Sequence, residues 1–250
     1  MSKHFTHLHL HTDYSLLDGA ITIKKLVDFG KKHDMKALAI TDHGNIFGAV
    51  KFFQTCKKEK IKPILGIEAY LAEDAKIKDV DNKYYHQILL VQNKEGYQNL
   101  CKLIAYSFQQ GFYFKPRIDY AMLEKHSKGI IVTSACLGGH VSKLVQAGDM
   151  TALHNRVDWF LDVFGRERYY LEVQPEDQPA QIPLNQALYK LSAEKNIKLV
   201  AAGDCHYVNA DDREAHEIML AVQTHDTMSN PDRYTFGDCR VDMGTKDEVL

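Results

Sequence analysis

Short apolar runs alternate with amphipathic stretches along most of the chain. Residues 5–10 predict a strand, with Leu8 and Leu10 on one face and His7, His9 and His11 on the other. Thr22 is placed to cap a helix that carries Ile23, Leu26 and Val27. Residues 37–41 predict a second strand, running into Asp42-His43-Gly44, and residues 47–60 a helix with Val50 and Phe53 inward. Further strands are expected at 63–71, 87–92, 129–134, 169–173 and 198–202. Helices are expected at 94–109, 141–147, 152–164, 182–195 and 211–223.

Strands alternating with helices imply a mainly parallel sheet. Seven strand candidates predict an α/β fold, a distorted (β/α)7 barrel. No Gly-x-Gly-x-x-Gly follows a strand, which weakens an open dinucleotide-binding sheet. One connection is different. Residues 72–84 are charged and carry little apolar periodicity, so no helix is expected to cross back there. The third and fourth strands should then form an antiparallel hairpin, with His86 close to Glu68.

Composition excludes several classes. A net charge of −2 among 250 residues does not suit a protein that grips nucleic acid by charge alone. No run of about 18 apolar residues could span a membrane. The 5 cysteines show no framework spacing. Residues 1–5 lack a leader's apolar core, and the reading is a cytoplasmic protein with reduced thiols. Thr245 followed by acidic residues resembles a helix start, and the expectation is a piece of a longer chain, with residues 1–226 as the barrel and 227–250 as the start of a linker.

In barrels of this class, chemistry gathers at the carboxyl ends of the strands. There the sequence places His9 and His11, Asp18, Asp42-His43, Glu68, His86, Cys136 and Asp204-Cys205-His206; every predicted strand but the sixth contributes a possible metal donor. So many imidazoles and carboxylates in one pocket would be desolvated and would repel when ionised. Divalent ions supply the compensating charge. The donors exceed what one ion takes and suit two or three, with a carboxylate such as Glu68 bridging; mixed N, O and S donors fit Zn, Mn or Fe. Such sites typically hydrolyse phosphate esters. Arg117 and, more weakly, Tyr14 are candidates for holding substrate. His4, His33, His126, His154, His216 and His225 are expected to be exposed, and His7 structural.

Residues 5–20, with His7-Leu8-His9-Leu10-His11 and Asp18-Gly19, followed by Ile40-Thr41-Asp42-His43-Gly44, resemble the polymerase and histidinol phosphatase domain family. More narrowly, with Pro63-Ile64-Leu65-Gly66-Ile67-Glu68 and Lys115-Pro116-Arg117-Ile118-Asp119, they resemble the N-terminal domains of bacterial DNA polymerase III alpha subunits. The resemblance covers nearly the whole chain. It implies a distorted seven-stranded barrel and up to three metals, held by His9, His11, Asp18, His43, Glu68, His86, Cys136, Asp204 and His206. It groups His9, His11, Glu68 and Asp204 on one ion, Glu68, His86 and Cys136 on a second, and Asp18, His43 and His206 on a third. None of these residues is missing here, and members with the full set are linked to metal-dependent 3′–5′ exonuclease or proofreading activity.

The expected function is therefore metal-dependent phosphodiester hydrolysis at a DNA 3′ end, with Asp204, His206, His11 and Glu68 as the catalytic residues. The implied partners are a DNA 3′ end and other replicase subunits, without a membrane. Polymerase activity would lie further along a longer chain. The alternatives are a non-catalytic, metal-stabilised docking domain and a small-molecule phosphatase of the histidinol phosphatase type. Bound metal should be lost below about pH 6, where histidines protonate.

Overall fold

The computed structural model describes residues 5–176, 179–237 and 239–249; residues 1–4, read above for a leader, lie outside them. The elements run α1 (Ile23–Lys32), β1 (Ala37–Ile40), α2 (Ala49–Lys58), β2 (Lys62–Ala72), β3 (Tyr84–Val91), α3 (Lys94–Gln109), β4 (Phe112–Tyr113), β5 (Lys115–Asp119) and α4 (Tyr120–Lys125). They continue with β6 (Ile130–Thr133), α5 (His140–Ala147), α6 (Met150–Phe164), β7 (Tyr169–Val173), α7 (Gln181–Lys195), β8 (Leu199–Ala201), α8 (Arg213–Gln223) and a short α9 (Lys246–Val249). Local chemistry starts and stops several helices. The Thr22 and Asn93 side chains accept the N–H groups of Lys25 and Gly96 at the heads of α1 and α3. Lys31, Lys32, Lys57 and Lys58 end α1 and α2, where cations suit the helix dipole.

The sheet is organised by β2. Its first half pairs in parallel with β1 (Ala37↔Lys62 to Ile40↔Leu65), and its last residues pair in parallel with β5 (Tyr70↔Arg117 to Ala72↔Asp119). Its other edge pairs with β3 in antiparallel register from Gly66↔Leu90 to Ala72↔Tyr84. The hairpin expected from the missing crossover is therefore present. β3 continues antiparallel to β6, and β6, β7 and β8 follow in parallel. The sheet curls until residues 9–12 lie between the end of β1 and the chain after β8. There Thr41 donates its N–H to Leu10 O (2.9 Å), and His11 donates its N–H to Cys205 O (2.8 Å). The result is the expected α/β fold, a curled, incompletely closed barrel.

Three expectations change. The first stave is no regular strand: Leu10 N–H goes to the Thr41 hydroxyl (2.8 Å) and Thr12 N–H to the Asp42 carboxylate (2.7 Å), so on the β1 side side-chain acceptors stand in for part of the backbone ladder, while backbone bonds to Cys205 remain. Its leucines do not share a face, because Leu10 packs with Ile21, Leu26 and Leu38 while Leu8 packs with Ile88 and Leu90. In α2 the buried residues are Ala49, Phe52 and Cys56, and Val50 and Phe53 are exposed. The β4–β5 hairpin was not expected at all. Pro116 sits on β5 opposite Phe112 of the two-residue β4, near the start of the strand and before its pairing with β2 begins at Arg117, where proline is tolerated.

The main core lies between the sheet and α3–α7, built from residues such as Leu71, Leu89, Leu103, Val157, Phe160 and Leu188. A second core packs α1 and α2 on β1 through Leu26, Leu38, Ile40 and Phe52. Within 227–250, expected to begin a linker, several described residues contact the barrel. Glu217 accepts from Arg233 (3.1 Å) and Thr235 (2.5 Å), and Val241 and Met243 are buried.

Candidate metal centre

The donors named from the sequence converge at the carboxyl mouth of the barrel. His9 and His11 arrive on the first stave, Asp18 on the turn after it, His43 after β1, Glu68 on β2 and His86 on β3. Cys136 follows β6, and Asp204 and His206 follow β8. The hairpin register brings His86 Nδ1 to 2.9 Å from Glu68 Oε1. Two backbone features aim donors inward. Asp204 has φ 47°, in the left-handed region an aspartate tolerates. Gly138 lets its loop pass His86, since a Cβ there would lie 3.0 Å from His86 Nδ1.

Glu68 sits at the centre. Oε1 lies 3.1 Å from His9 Nε2 and 3.7 Å from Cys136 Sγ; Oε2 lies 2.9 Å from His43 Nδ1 and 3.4 Å from His11 Nε2. Asp204 Oδ1 stands 3.1 Å from His9 Nε2 and 3.3 Å from His11 Nε2. Asp18 Oδ2 stands 2.9 Å from His43 Nε2 and 3.1 Å from His206 Nε2. Four clusters of donor atoms result: His9–His11–Asp204, His9–Glu68–Cys136, His43–Glu68–His86, and His11–Asp18–His43–His206.

These residues fit divalent ions for a reason visible in the protein alone. His9 Nε2, His11 Nε2, His43 Nδ1 and Asp204 Oδ1 are buried without a hydrogen-bond partner, close to neighbouring donors yet out of line with them. A buried polar group left so costs free energy unless something else satisfies it. The far nitrogens are fixed instead. His9 Nδ1 donates to Glu172 Oε1 (2.7 Å), His11 Nδ1 pairs with the Ser15 hydroxyl (3.0 Å), and His206 Nδ1 donates to the Asp204 carbonyl (2.8 Å). Such outer contacts orient imidazoles toward a metal.

Without an ion, protons balance the carboxylates. Burial alone would lower the pKa of His43, but Glu68 and Asp18 raise it to about 10. Burial likewise opposes charge on His9, and Asp204, Glu172 and Glu68 overcome it and hold its pKa well above the ordinary value. His206 is raised by Asp18 against its burial. Burial, then His43 and His206, push His11 down to about 4. Asp18, Glu68 and Asp204 stay far below the usual carboxylate range despite burial, because imidazoles surround them.

A cavity of about 570 Å³ opens over the cluster, lined among others by Asp18, His43, Glu68, His86, Cys136 and Asp204. The two substrate candidates do not reach it. Arg117 is 1% exposed, and its guanidinium donates to the carbonyls of Gly111, Asn82, Ala75 and Ile77, so it staples the β2–β3 connection. Tyr14 packs on Gly48, away from the cavity lining.

Sequence reasoning missed Glu172, the one carboxylate in the apolar strand β7. It is 1% exposed and also accepts from the Thr133 hydroxyl (2.5 Å). An acid on the inward alternation of such a strand was the available signal. His216, expected exposed, is buried against His206 and Phe236, and burial pushes it down to about 4. His7 is structural as expected, bonded to Gly244 O (2.8 Å) and near Cys205 Sγ (3.3 Å).

Comparison with known proteins places these features in context. The model of the PHP domain matches residues 7–176. The DNA polymerase III subunit alpha of Borreliella burgdorferi is 46% identical over 92% of this chain and 20% of its own length. That of Aquifex aeolicus is 42% identical over 91% of this chain and 20% of its own. The chain thus spans about a fifth of the relatives it matches. A solved Bifidobacterium adolescentis protein, provisionally assigned as a metal-dependent phosphoesterase, shares the fold with TM-score 0.57 at 14% identity, over 100% of this chain and 96% of that one.

Proposed function

The chain belongs to the PHP domain family, and from that premise we propose that it is a metal-dependent phosphodiesterase acting at DNA 3′ ends, as a proofreading module of a replicative polymerase. The observation that carries this reading is the convergence of His9 Nε2, His11 Nε2, His43 Nδ1 and Asp204 Oδ1, buried without a well-aligned hydrogen bond, beneath an open cavity. Two or three divalent ions, of zinc, manganese or iron, would supply the charge that polarises a phosphoryl group and activates water at neutral pH.

The protein's part is placement. Glu68 presents one oxygen toward His9 and Cys136 and the other toward His11 and His43, so this one carboxylate would serve more than one donor group in holding the ions. Asp204, His11 and His206 have their directions set by φ, by Ser15 and by a backbone carbonyl. Asp18, His43 and His206 line the cavity together with Glu68, His86, Cys136 and Asp204. The cavity's size falls within the usual range for a ligand site, about 300–1,000 Å³. The similarity to polymerase alpha subunits supports a DNA end as substrate and other replicase subunits as partners. No helix of the described residues is long and apolar enough to cross a membrane.

The test combines elemental analysis with digestion of a 3′-labelled oligonucleotide. Asp204→Asn and His11→Ala should each abolish digestion while the fold is retained. Unchanged digestion in both variants refutes the reading. Full metal content with no turnover on any phosphate ester assigns the centre to a docking module instead.

A further inference from the structure

The cavity over the centre has one wall that the metal cluster does not explain. Tyr70, Tyr84 and Lys115 line it. Tyr70 is 4% exposed and stacks on the His43 ring (centroids 5.6 Å apart, planes at 13°), which ties this wall to the cluster. Tyr84 opens β3, opposite Ala72, and packs edge-on against Tyr70 at 5.1 Å, with 38% of its surface exposed. Lys115 is the first residue of β5; its Nζ lies 5.5 Å from the Tyr70 ring centre. Among the described residues Lys115 makes no ion pair, whereas Arg240, also at the cavity, is tied to Asp242 (3.1 Å) and Glu248 (3.2 Å).

An aromatic face and an ammonium that pairs with no carboxylate among the described residues are not needed to hold metal. Asp18, Glu68 and Asp204 make the floor repel anions, so a phosphate away from the ions needs its own cation. An exposed ring on the same cavity wall as that cation matches the pairing by which proteins hold single-stranded nucleic acid: a charged groove for the backbone and an aromatic platform for a base.

We propose that Tyr84 and Lys115 form a strand-end subsite, in which the Tyr84 ring stacks a nucleobase and the Lys115 ammonium holds the phosphate next along the strand from the scissile one. The inference rests on the phosphodiesterase reading of this same site and adds the feature by which it would select a nucleic-acid end.

Binding separates the two. The probes are two labelled single-stranded oligonucleotides with cleavage-resistant terminal linkages, identical except that one lacks the bases of its last two nucleosides. Their affinities for the manganese-loaded chain are measured by fluorescence anisotropy. Stacking of one base is typically worth about 1–3 kcal/mol, which corresponds to roughly 5- to 150-fold. Wild-type protein should therefore bind the base-bearing strand about tenfold or more tightly. Tyr84→Ala should erase that preference and Tyr84→Phe should keep it. Lys115→Gln should weaken both strands alike and reduce the salt slope by about one. Equal binding of the two strands by wild type, or loss of the preference in Tyr84→Phe, overturns the base platform. An unaltered salt slope in Lys115→Gln overturns the phosphate contact. If the Tyr84→Ala chain does not fold, the wild-type and Tyr84→Phe measurements still decide. The expected preference in a chain that never cleaves a phosphodiester upholds the subsite and fails the hydrolase reading. Cleavage that proceeds with no preference fails the subsite alone.

Discussion

The two ends of the barrel are built on the same staves and held by different physics. Inward positions alternate with period two along each strand. On β2 they pass from Ile64 at one end to Glu68 at the other, on β3 from Leu90 to His86, and on β7 from Tyr170 to Glu172. At the amino end Leu8, Ile64, Leu90, Ile131, Tyr170 and Val200 surround an apolar cavity of about 1080 Å³. At the carboxyl end the same alternation gathers carboxylates and imidazoles. Apolar packing is non-directional and forgiving of shape. The polar end holds together only while each charge keeps a partner, whether a proton on histidine or an ion in its place.

The sharpest way to break this contrast is one substitution at each end. Glu68→Gln should lower phosphodiester hydrolysis roughly a hundredfold or more, because it removes the carboxylate that serves more than one donor group. It should also cost the metal-free chain about 3–5 kcal/mol, as a broken buried ion pair does. Leu90→Ala should cost about 2–3 kcal/mol, near the low end for large-to-small changes since Leu90 already borders a cavity, and should leave metal content unchanged. Elemental analysis and urea unfolding of both variants measure these effects. Loss of metal in Leu90→Ala would show that the two ends are not separable.

Next in size is Glu172, which meets the centre only through His9 Nδ1. Glu172→Gln should weaken metal binding about 10- to 100-fold, the usual effect of losing such an outer contact. Competition with a chelator measures it; wild-type affinity in the variant would make Glu172 a packing residue.

The smallest expected effect is in pH dependence. The His43 pKa is raised to about 10 in the folded, metal-free chain. Its stabilising contribution is complete below its unfolded value of about 6.5 and fades as pH rises through the folded one. Asp18, Glu68 and Asp204 are depressed, so their contribution is present above about pH 4 and is lost as pH falls. Below about pH 6.5 His11 and His216, pushed down to about 4, work the other way, because the unfolded chain takes up their protons first. Metal-free protein should therefore be most stable near pH 6.5, weakening toward pH 4 and again toward pH 10. Manganese should displace the imidazole protons, remove the alkaline decline and bind more tightly as pH rises. Because these protons are held more firmly than on free histidine, metal should begin to leave above the pH of about 6 expected from unperturbed groups. Thermal unfolding across pH, with chelator and with manganese, reads both arms; parallel curves would contradict the exchange of protons for metal.

The contrast also explains what could be read from the sequence. The seven staves, their helices and the β2–β3 hairpin follow from periodicity and from one charged connection that could not be a helix. The nine proposed ligands were visible because imidazoles and carboxylates at strand ends are costly without a common purpose. Glu172 escaped because its partner, His9, comes from a stave 163 residues away. Arg117 was misread for a related reason. The four carbonyls that occupy its guanidinium belong to irregular chain around residues 75–82 and 111, which no periodicity could place. The irregular first stave was hidden because Thr41 and Asp42 supply side-chain acceptors where alternation alone implies a backbone ladder.

The most direct test is anomalous diffraction from crystals soaked in manganese at neutral pH. Two or three strong peaks should lie among His9, His11, Asp18, His43, Glu68, His86, Cys136, Asp204 and His206, and nowhere near Leu90 or Ile131. A fully soaked crystal with no peak within coordinating distance of Glu68 and Asp204 would contradict the metal centre, and with it the proposed hydrolysis.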